Sequence, residues 1–305
     1  MAIAVADRIE RLNTASARRV IDPDVEPDLT GHVGEGQLLP DELLTVAGLD
    51  LELTAEQKRI ISREEIASIT EAGVRFEAVL TAGFALQIAN CDSVKDPRIV
   101  YLLHEIGEES RHSRLFVRLF EQLDSKAKNP ISGRIADRLM RRGTRRIISL
   151  PSLLYTLVLA GEEIPDLFQK KASEHPETDP FLRAVNKYHR LEEARHLSFA
   201  RALLPEIWEK ATLAEKVAVR RFAPWVIKGM FETIVHPGVY TAAGLPGWAT
   251  WKAVNATPER IAFRHEAIRP VLKALVEAGI FAPGKINKRW QKLCGVDAAG
   301  QPLAA

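Results

Sequence analysis

Two short segments of this chain combine acidic and imidazole side chains at a spacing suited to metal binding: Glu108-Glu109-Ser110-Arg111-His112 and Glu192-Glu193-Ala194-Arg195-His196. Each contains E-x-x-H. On an α-helix such a pair lies about 60° apart around the axis and about 4.5 Å apart along it, so both side chains reach one ion. A single E-x-x-H arises readily by chance and on an exposed helix is usually a solvated ion pair. Two copies that share the longer pattern E-E-x-R-H are far more specific.

Two more glutamates extend the pattern. Glu77 precedes Glu109, and Glu162 precedes Glu193, by nearly the same interval, with the midpoints near Ser93 and Glu177. If each interval folds as an antiparallel helical hairpin, its two glutamates meet at one height, roughly 24 Å from the turn at a rise of 1.5 Å per residue. Each half then presents Glu plus Glu-x-x-His at one level, the donor set of a di-metal carboxylate bundle. Glu163 competes with Glu162, and Glu71 with Glu77. Glu162 is preferred because it follows Leu154 and Val158 at helical intervals.

Glu77, Glu109, Glu162 and Glu193 fall on stripes otherwise made of residues such as Leu80, Phe84, Leu102, Phe116, Leu154, Val158, Val185 and Ala200. Burying one unpaired carboxylate costs several kcal/mol. Four on facing stripes need positive charge between them, which two divalent ions supply. Carboxylate oxygen with imidazole nitrogen suits iron or manganese. Glu108 and Glu192 are placed to accept a bond from the free N–H of a metal-bound imidazole, including one on the facing helix, with Arg111 and Arg195 holding those carboxylates. The alternative is four charges on exposed helix faces. His189 shares a face with Glu193 and His196, whereas the matching position of the first half holds Glu105. Spacing alone leaves His189 open as a ligand, a partner of a ligand, or a core histidine. His104 reads as structural.

The elements that must carry these residues are helical. Apolar positions recur at helical spacing from Ser62 through Ile88. Asp96-Pro97 suits the start of a helix that runs to about Leu123. Further helices are expected near Leu153–Lys171, Phe181–Leu204, Leu213–Val235 and Pro258–Ala278, the last capped by Thr257. Turns are expected at Cys91–Pro97 and Glu174–Pro180. Residues 1–50, broken by Asp22-Pro23, Glu26-Pro27 and the glycines between Gly31 and Gly36, read as an extended arm packed on the bundle. The expected architecture is all-α: this arm, then one ferritin-like helical bundle over 51–305 with additional C-terminal helices. Arg134, Arg138, Arg141, Arg142, Arg145 and Arg146 form a basic run, read as a solvated helix face in preference to a dock for an acidic partner. Tyr155 reads as a core residue in preference to a redox or pocket residue.

Composition sets the outer bounds. With 305 residues, 46% of them hydrophobic, the chain can bury a sizeable core. A formal net charge of +2 gives no global reason to expect nucleic acid or an anionic membrane as partner. Two cysteines, Cys91 and Cys294, argue against a disulfide framework and for a reducing cytosol. The start, with Asp7, Arg8, Glu10 and Arg11, does not read as a secretory signal. The longest uncharged run, Ile147–Gly161, is short for a membrane span and is interrupted by Pro151. A cytoplasmic location follows as the expectation.

The sequence resembles the AurF-type di-iron oxygenases, the p-aminobenzoate N-oxygenase-like family. The resemblance is carried by Arg11-Leu12 through Ala17-Arg18-Arg19 with Asp22-Pro23, by Phe76-Glu77-Ala78-Val79-Leu80, by Glu109-Ser110-Arg111-His112-Ser113, by Glu162-Glu163-Ile164 with Asp166, and by His189 with Glu192-Glu193-Ala194-Arg195-His196 and Phe199-Ala200. It covers about residues 8 to 205, and its most specific element is His-x-x-x-Glu-x-x-His. The resemblance implies seven metal ligands: Glu77, Glu109, His112, Glu162, His189, Glu193 and His196. It also implies two iron ions, or manganese or a mixed Mn/Fe pair. The implied reaction is O2 activation with electrons from an external donor, N-oxygenating a small aryl amine, in a protein that is often a homodimer. Other readings are a C–H hydroxylase or desaturase on the same metals, a ferritin-like iron-binding protein, and a metal-free bundle.

Overall fold

A computed structural model describes residues 2–303. Four long helices form the frame: α2 (Ala55–Ala89), α3 (Pro97–Leu123), α5 (Pro151–Glu174) and α6 (Pro180–Glu209). Helices α2 and α3 form one antiparallel hairpin, α5 and α6 a second, and the two hairpins pack on each other. Among the described residues no strand forms, only an isolated bridge between Val296 and Pro302.

Local chemistry explains where these helices begin. Thr54 and Gln57 form a capping box at the head of α2. Asp96 and Asp179 accept from the backbone N–H groups of Arg98 and Leu182, each followed by proline at the first helical position of α3 and α6. Proline also opens α5, at Pro151. The hairpin turns fall where the sequence puts them, between Ala89 and Pro97 and between Glu174 and Pro180.

The apolar core is in two parts. One part contains Leu80, Phe84, Tyr101, Leu102, Leu154, Tyr155, Val158, Phe199 and Ala200. The other contains Ile61, Ile66, Leu115, Phe116, Leu119, Ala172, Leu182 and Val185. Along α3 the first part ends at Leu102 and the second begins at Leu115; along α6 the order reverses, the second part ending at Tyr188 and the first resuming at Leu197. The intervening turns hold Glu105, Glu108, Glu109, His112, His189, Glu192, Glu193 and His196, all buried. A layer of ionisable groups therefore divides the hydrophobic interior. Tyr155 belongs to the core, its hydroxyl donating to Gln87 at 3.2 Å.

The N-terminal region departs from an extended arm. Ala2–Arg18 forms a helix, α1, packed on α3 and α6. The proline and glycine breaks start only at Asp22, and the earlier stretch is rich in good helix formers, with Val5, Ile9, Leu12 and Ser16 on its inward face. Residues 19–54 do form an irregular strap with two short 3-10 turns. Ser62 Oγ accepts from the backbone of Leu38 and Leu39 at 2.8 and 2.9 Å, and the Glu65 carboxylate accepts from Thr45.

Helix α4 (Arg134–Ile148) carries the basic run; Arg138, Arg141, Arg142, Arg145 and Arg146 are exposed, while the side chain of Arg134 lies outside the described residues. The expected helix at Leu213–Val235 is α7 (Leu213–Val217) and α8 (Ala223–Thr233) joined by a π-helical turn, Ala218–Phe222. Pro224, just beyond the turn, lacks a backbone N–H. Around the turn, the carbonyls of Val219, Arg220 and Arg221 accept from the side chains of Trp290 (Nε1), Asn287 (Nδ2) and Arg289 at 3.2, 2.8 and 2.7 Å. Helix α11 (Pro258–Glu277) forms as expected. Three short helices, α9 (Pro237–Ala242), α10 (Gly247–Ala256) and α12 (Lys288–Cys294), were not expected. One stretch of α2 is apolar and long enough to cross a membrane, but α2 packs along α3 and buries Glu64, Glu65 and Glu77.

Candidate metal centre

Helix α3 supplies Glu109 and His112, and α6 supplies His189, Glu193 and His196; α2 and α5 deliver Glu77 and Glu162 to the same layer. All seven are buried, none above 5% exposure. Three groups close so tightly that one donor atom from each member lies within 4.8 Å of the others: Glu77 with His112 and His189, Glu109 with His112 and Glu193, and Glu105 with Glu109 and His196. The first and third define two positions. Glu109 and Glu193 lie between them, since each faces imidazoles on both sides. Glu193 Oε1 lies 3.2 Å from His112 Nδ1 and 3.4 Å from His189 Nε2, while its Oε2 lies 2.9 Å from His196 Nδ1. Glu109 Oε2 lies 3.7 Å from His112 Nδ1, and its Oε1 lies 3.3 Å from His196 Nδ1.

Glu162 belongs to none of the three tight groups among the described residues, but it meets Glu193 and Glu109 closely enough to feel their charge. Burial, then Glu193 and Glu109, hold its carboxyl well above the usual range. Glu163 points away and pairs with Arg201. Glu71 pairs with Arg75 at the surface.

The imidazoles are aimed by their outer nitrogens. His112 Nε2 donates to Glu192 Oε2 at 2.9 Å, and His196 Nε2 donates to Glu108 Oε2 at 2.8 Å. Each bond crosses between α3 and α6, and each turns Nδ1 inward. Arg195 bonds Glu108 at 2.9 Å and approaches Glu192 at 3.4 Å; Arg111 reaches Glu192 at 3.6 Å. Burial pushes the Glu108 carboxyl up, but His196 and Arg195 outweigh it and hold the group down at about 2. Glu192 is likewise lowered against its burial, by His112 and Arg111. His189 uses the other tautomer: Nδ1 donates to Gln169 Oε1 at 3.0 Å, leaving Nε2 to face Glu77 and Glu193. Fixing the tautomer by a bond to the remote ring nitrogen is how proteins orient metal-bound histidine.

A pair of cations fits the atoms left over. Glu77 Oε1, both oxygens of Glu109, Glu162 Oε1, Glu193 Oε1, His112 Nδ1 and Glu105 Oε2 are buried and have no hydrogen-bond partner. Each orphan of this kind costs roughly 1–3 kcal/mol, more when charged. Without cations, burial and neighbouring charge push several members of the layer toward their protonated forms, while, despite its burial, the Glu193 carboxyl is held well below the usual range by His196 and His189. Burial raises the Glu77 carboxyl, His189 opposing and Glu109 adding. Burial lifts Glu105 to about 8, with His196 opposing and Glu109 adding. His112 and His196 lie well above their usual range because, despite burial, the surrounding glutamates favour the charged ring.

Sequence reasoning missed three participants. Gln169, which orients His189, lies two helical turns beyond Glu162 on the same face of α5, a spacing that would have found it. Ser113, which donates to Glu77 Oε2 at 2.5 Å, directly follows His112. Glu105 stood out only as a mismatch with His189.

Residues 4–279 match the family model described as P-aminobenzoate N-oxygenase AurF. Uncharacterized proteins of Mycobacterium bovis and Mycobacterium tuberculosis are each 27% identical over 180 residues, 56% of this chain and 50% of theirs. The chain thus spans about half the length of the curated relatives it matches.

Proposed function

The chain belongs to the P-aminobenzoate N-oxygenase AurF family, and on that premise we propose that it is an O2-dependent di-iron oxygenase acting on a small organic substrate, by N-oxygenation of an aryl amine. The ligands in this reading are Glu77, Glu109, His112, Glu162, His189, Glu193 and His196. The observation that carries it is the set of unpartnered donor atoms that four helices turn toward one another inside the core. Two iron ions there would relay donor electrons to O2 and offer open coordination positions for it, with manganese or a mixed pair as the alternative loading.

The chain's own residues have definable tasks. Glu108 and Glu192 hold the outer protons of His196 and His112, keeping Nδ1 free as a donor. Arg195 and Arg111 keep those two carboxylates ionised. Gln169 does the same service for His189 through its amide oxygen. On one side of the layer Phe116 lies 5.0 Å from His189 and Tyr188 5.4 Å from His112 between ring centroids, an apolar wall that would keep water from the metals. Electrons come from an external donor, and the protein acts as a homodimer in the cytoplasm.

The test is to load the purified protein with Fe(II) without oxygen, quantify the metal, then admit O2 with panels of aryl amines and of hydrocarbons. Hydroxylamine or nitro products carrying label from 18O2 are expected. Hydroxylated or desaturated hydrocarbons in their place would redirect the reading to C–H chemistry, and failure to retain two metal ions per chain would end it.

A further inference from the structure

The two hairpins place like against like. Glu108, Glu109, Arg111 and His112 on α3 have counterparts at the same offset on α6: Glu192, Glu193, Arg195 and His196. One turn earlier the halves disagree, with Glu105 on α3 where α6 has His189. His189 completes the tight group with Glu77 and His112, and Glu105 completes the equivalent group with Glu109 and His196. Glu105 is 1% exposed, and its Oε2 is buried with no hydrogen-bond partner. The nearby Tyr101 hydroxyl is also buried without a partner, so it does not satisfy that oxygen. An unpartnered carboxylate oxygen in a dry layer has one obvious use when it already lies beside two other donors.

We propose that Glu105 is an eighth metal ligand, supplying oxygen to the ion on the His196 side. The proposal rests on the di-metal reading above. It makes the two seats chemically unequal. One takes two imidazoles, His112 and His189, with Glu77. The other takes one imidazole, His196, with Glu105 and Glu162. Glu109 and Glu193 are common to both. The second seat is richer in hard oxygen donors and favours the harder, more oxophilic ion, Mn(II) over softer divalent metals.

The experiment titrates the metal-free full chain with Mn(II), following the loss of the free-ion EPR signal, for the wild type, Glu105→Gln and Glu105→Ala. Two Mn(II) per chain with a spin-coupled signal are expected in the wild type. Both variants should keep one Mn(II) at wild-type affinity, bind the second at least tenfold more weakly, and lose the coupled signal at matched metal. Circular dichroism reports helicity, and the isosteric Gln variant preserves packing if Ala does not fold. Two Mn(II) bound with unchanged affinities in the variants would overturn the role of Glu105 alone. Loss of both ions from a fully helical Gln variant would overturn its assignment to one seat. A wild type that retains neither two Mn(II) nor two Fe(II) would overturn the di-metal reading itself.

Discussion

Gly161 on α5 lies flush against the ring of Phe76 on α2, so that a Cβ at Gly161 would overlap the ring. Each is the immediate neighbour of a residue of the centre, Gly161 of Glu162 and Phe76 of Glu77. The contact sets the approach of the two hairpins at the height of the layer. Alanine would gain about 1 kcal/mol of helix propensity, but overpacking a core typically costs about 1–3 kcal/mol. Gly161→Ala should therefore lower the urea midpoint and weaken metal binding together. A variant that unfolds and binds metal as the wild type does would show that the helices can move apart freely.

Removing the carboxylates that steer the imidazoles should loosen the metals without touching a ligand. Glu108→Ala should cost about 10–100-fold in affinity, acting on the His196 side, and Glu192→Ala a similar factor on the His112 side. Competition with a chelator of known affinity measures both. Unchanged affinity in either variant would mean that the cross-helix bonds are decorative.

His189 and Gln169 should act as one unit. His189→Ala removes a nitrogen donor, whereas Gln169→Leu only frees the ring, so the first effect should exceed the second. Adding Gln169→Leu to His189→Ala should change little more. Additive losses in a double-mutant cycle of metal affinity would separate the two residues.

Metal removal should destabilise the protein. Free Fe(II) at 100 times its Kd contributes about 2.7 kcal/mol per site when it binds only the folded chain. Protons compete for the same carboxylates and imidazoles, so this gain should shrink as pH falls. Anaerobic thermal melts with and without Fe(II) from pH 5.5 to 8 test both points. A melting temperature indifferent to metal would contradict the first.

A second buried acid gives a pH dependence of its own. Burial pushes Glu65 from the ordinary 4.5 up to about 7, against the bonds from Thr45 and the charge of Arg260. The folded state thus holds this proton more tightly than the unfolded chain. Its contribution is complete below pH 4.5, declines as pH rises through 7, and amounts to about 3 kcal/mol. Glu65→Gln should flatten the fall in stability between pH 5 and 8, read by urea unfolding of metal-loaded protein. An equally steep fall in the variant would assign that slope elsewhere.

Much of this arrangement was legible in advance because a shared metal site would impose spacing on its donors. The E-x-x-H pairs and the hairpin arithmetic bring Glu77, Glu109, His112, Glu162, Glu193 and His196 into one layer, and the caps at Asp96 and Thr257 mark real helix starts. What escaped depends on tertiary context. Helices α9 and α12, of 6 and 7 residues, are too short for periodicity to reveal. The α1 helix was hidden by the breaks that follow it. The π-helical turn takes its stability from partners around α12, far along the chain. Glu105 differs in type from its counterpart, so repetition alone could not bring it forward.

Because His196 is steered by Glu108 and His112 by Glu192, each hairpin holds the key to its partner's histidine. Neither α2–α3 nor α5–α6 by itself contains a properly aimed E-x-x-H. Metal retention would thus report on assembly: a chain whose halves dock in the wrong register would leave its imidazoles free to spin and its acids uncompensated. The inorganic centre would act as an inspector of the fold, rewarding the correct docking with a stability that misassembled chains forgo.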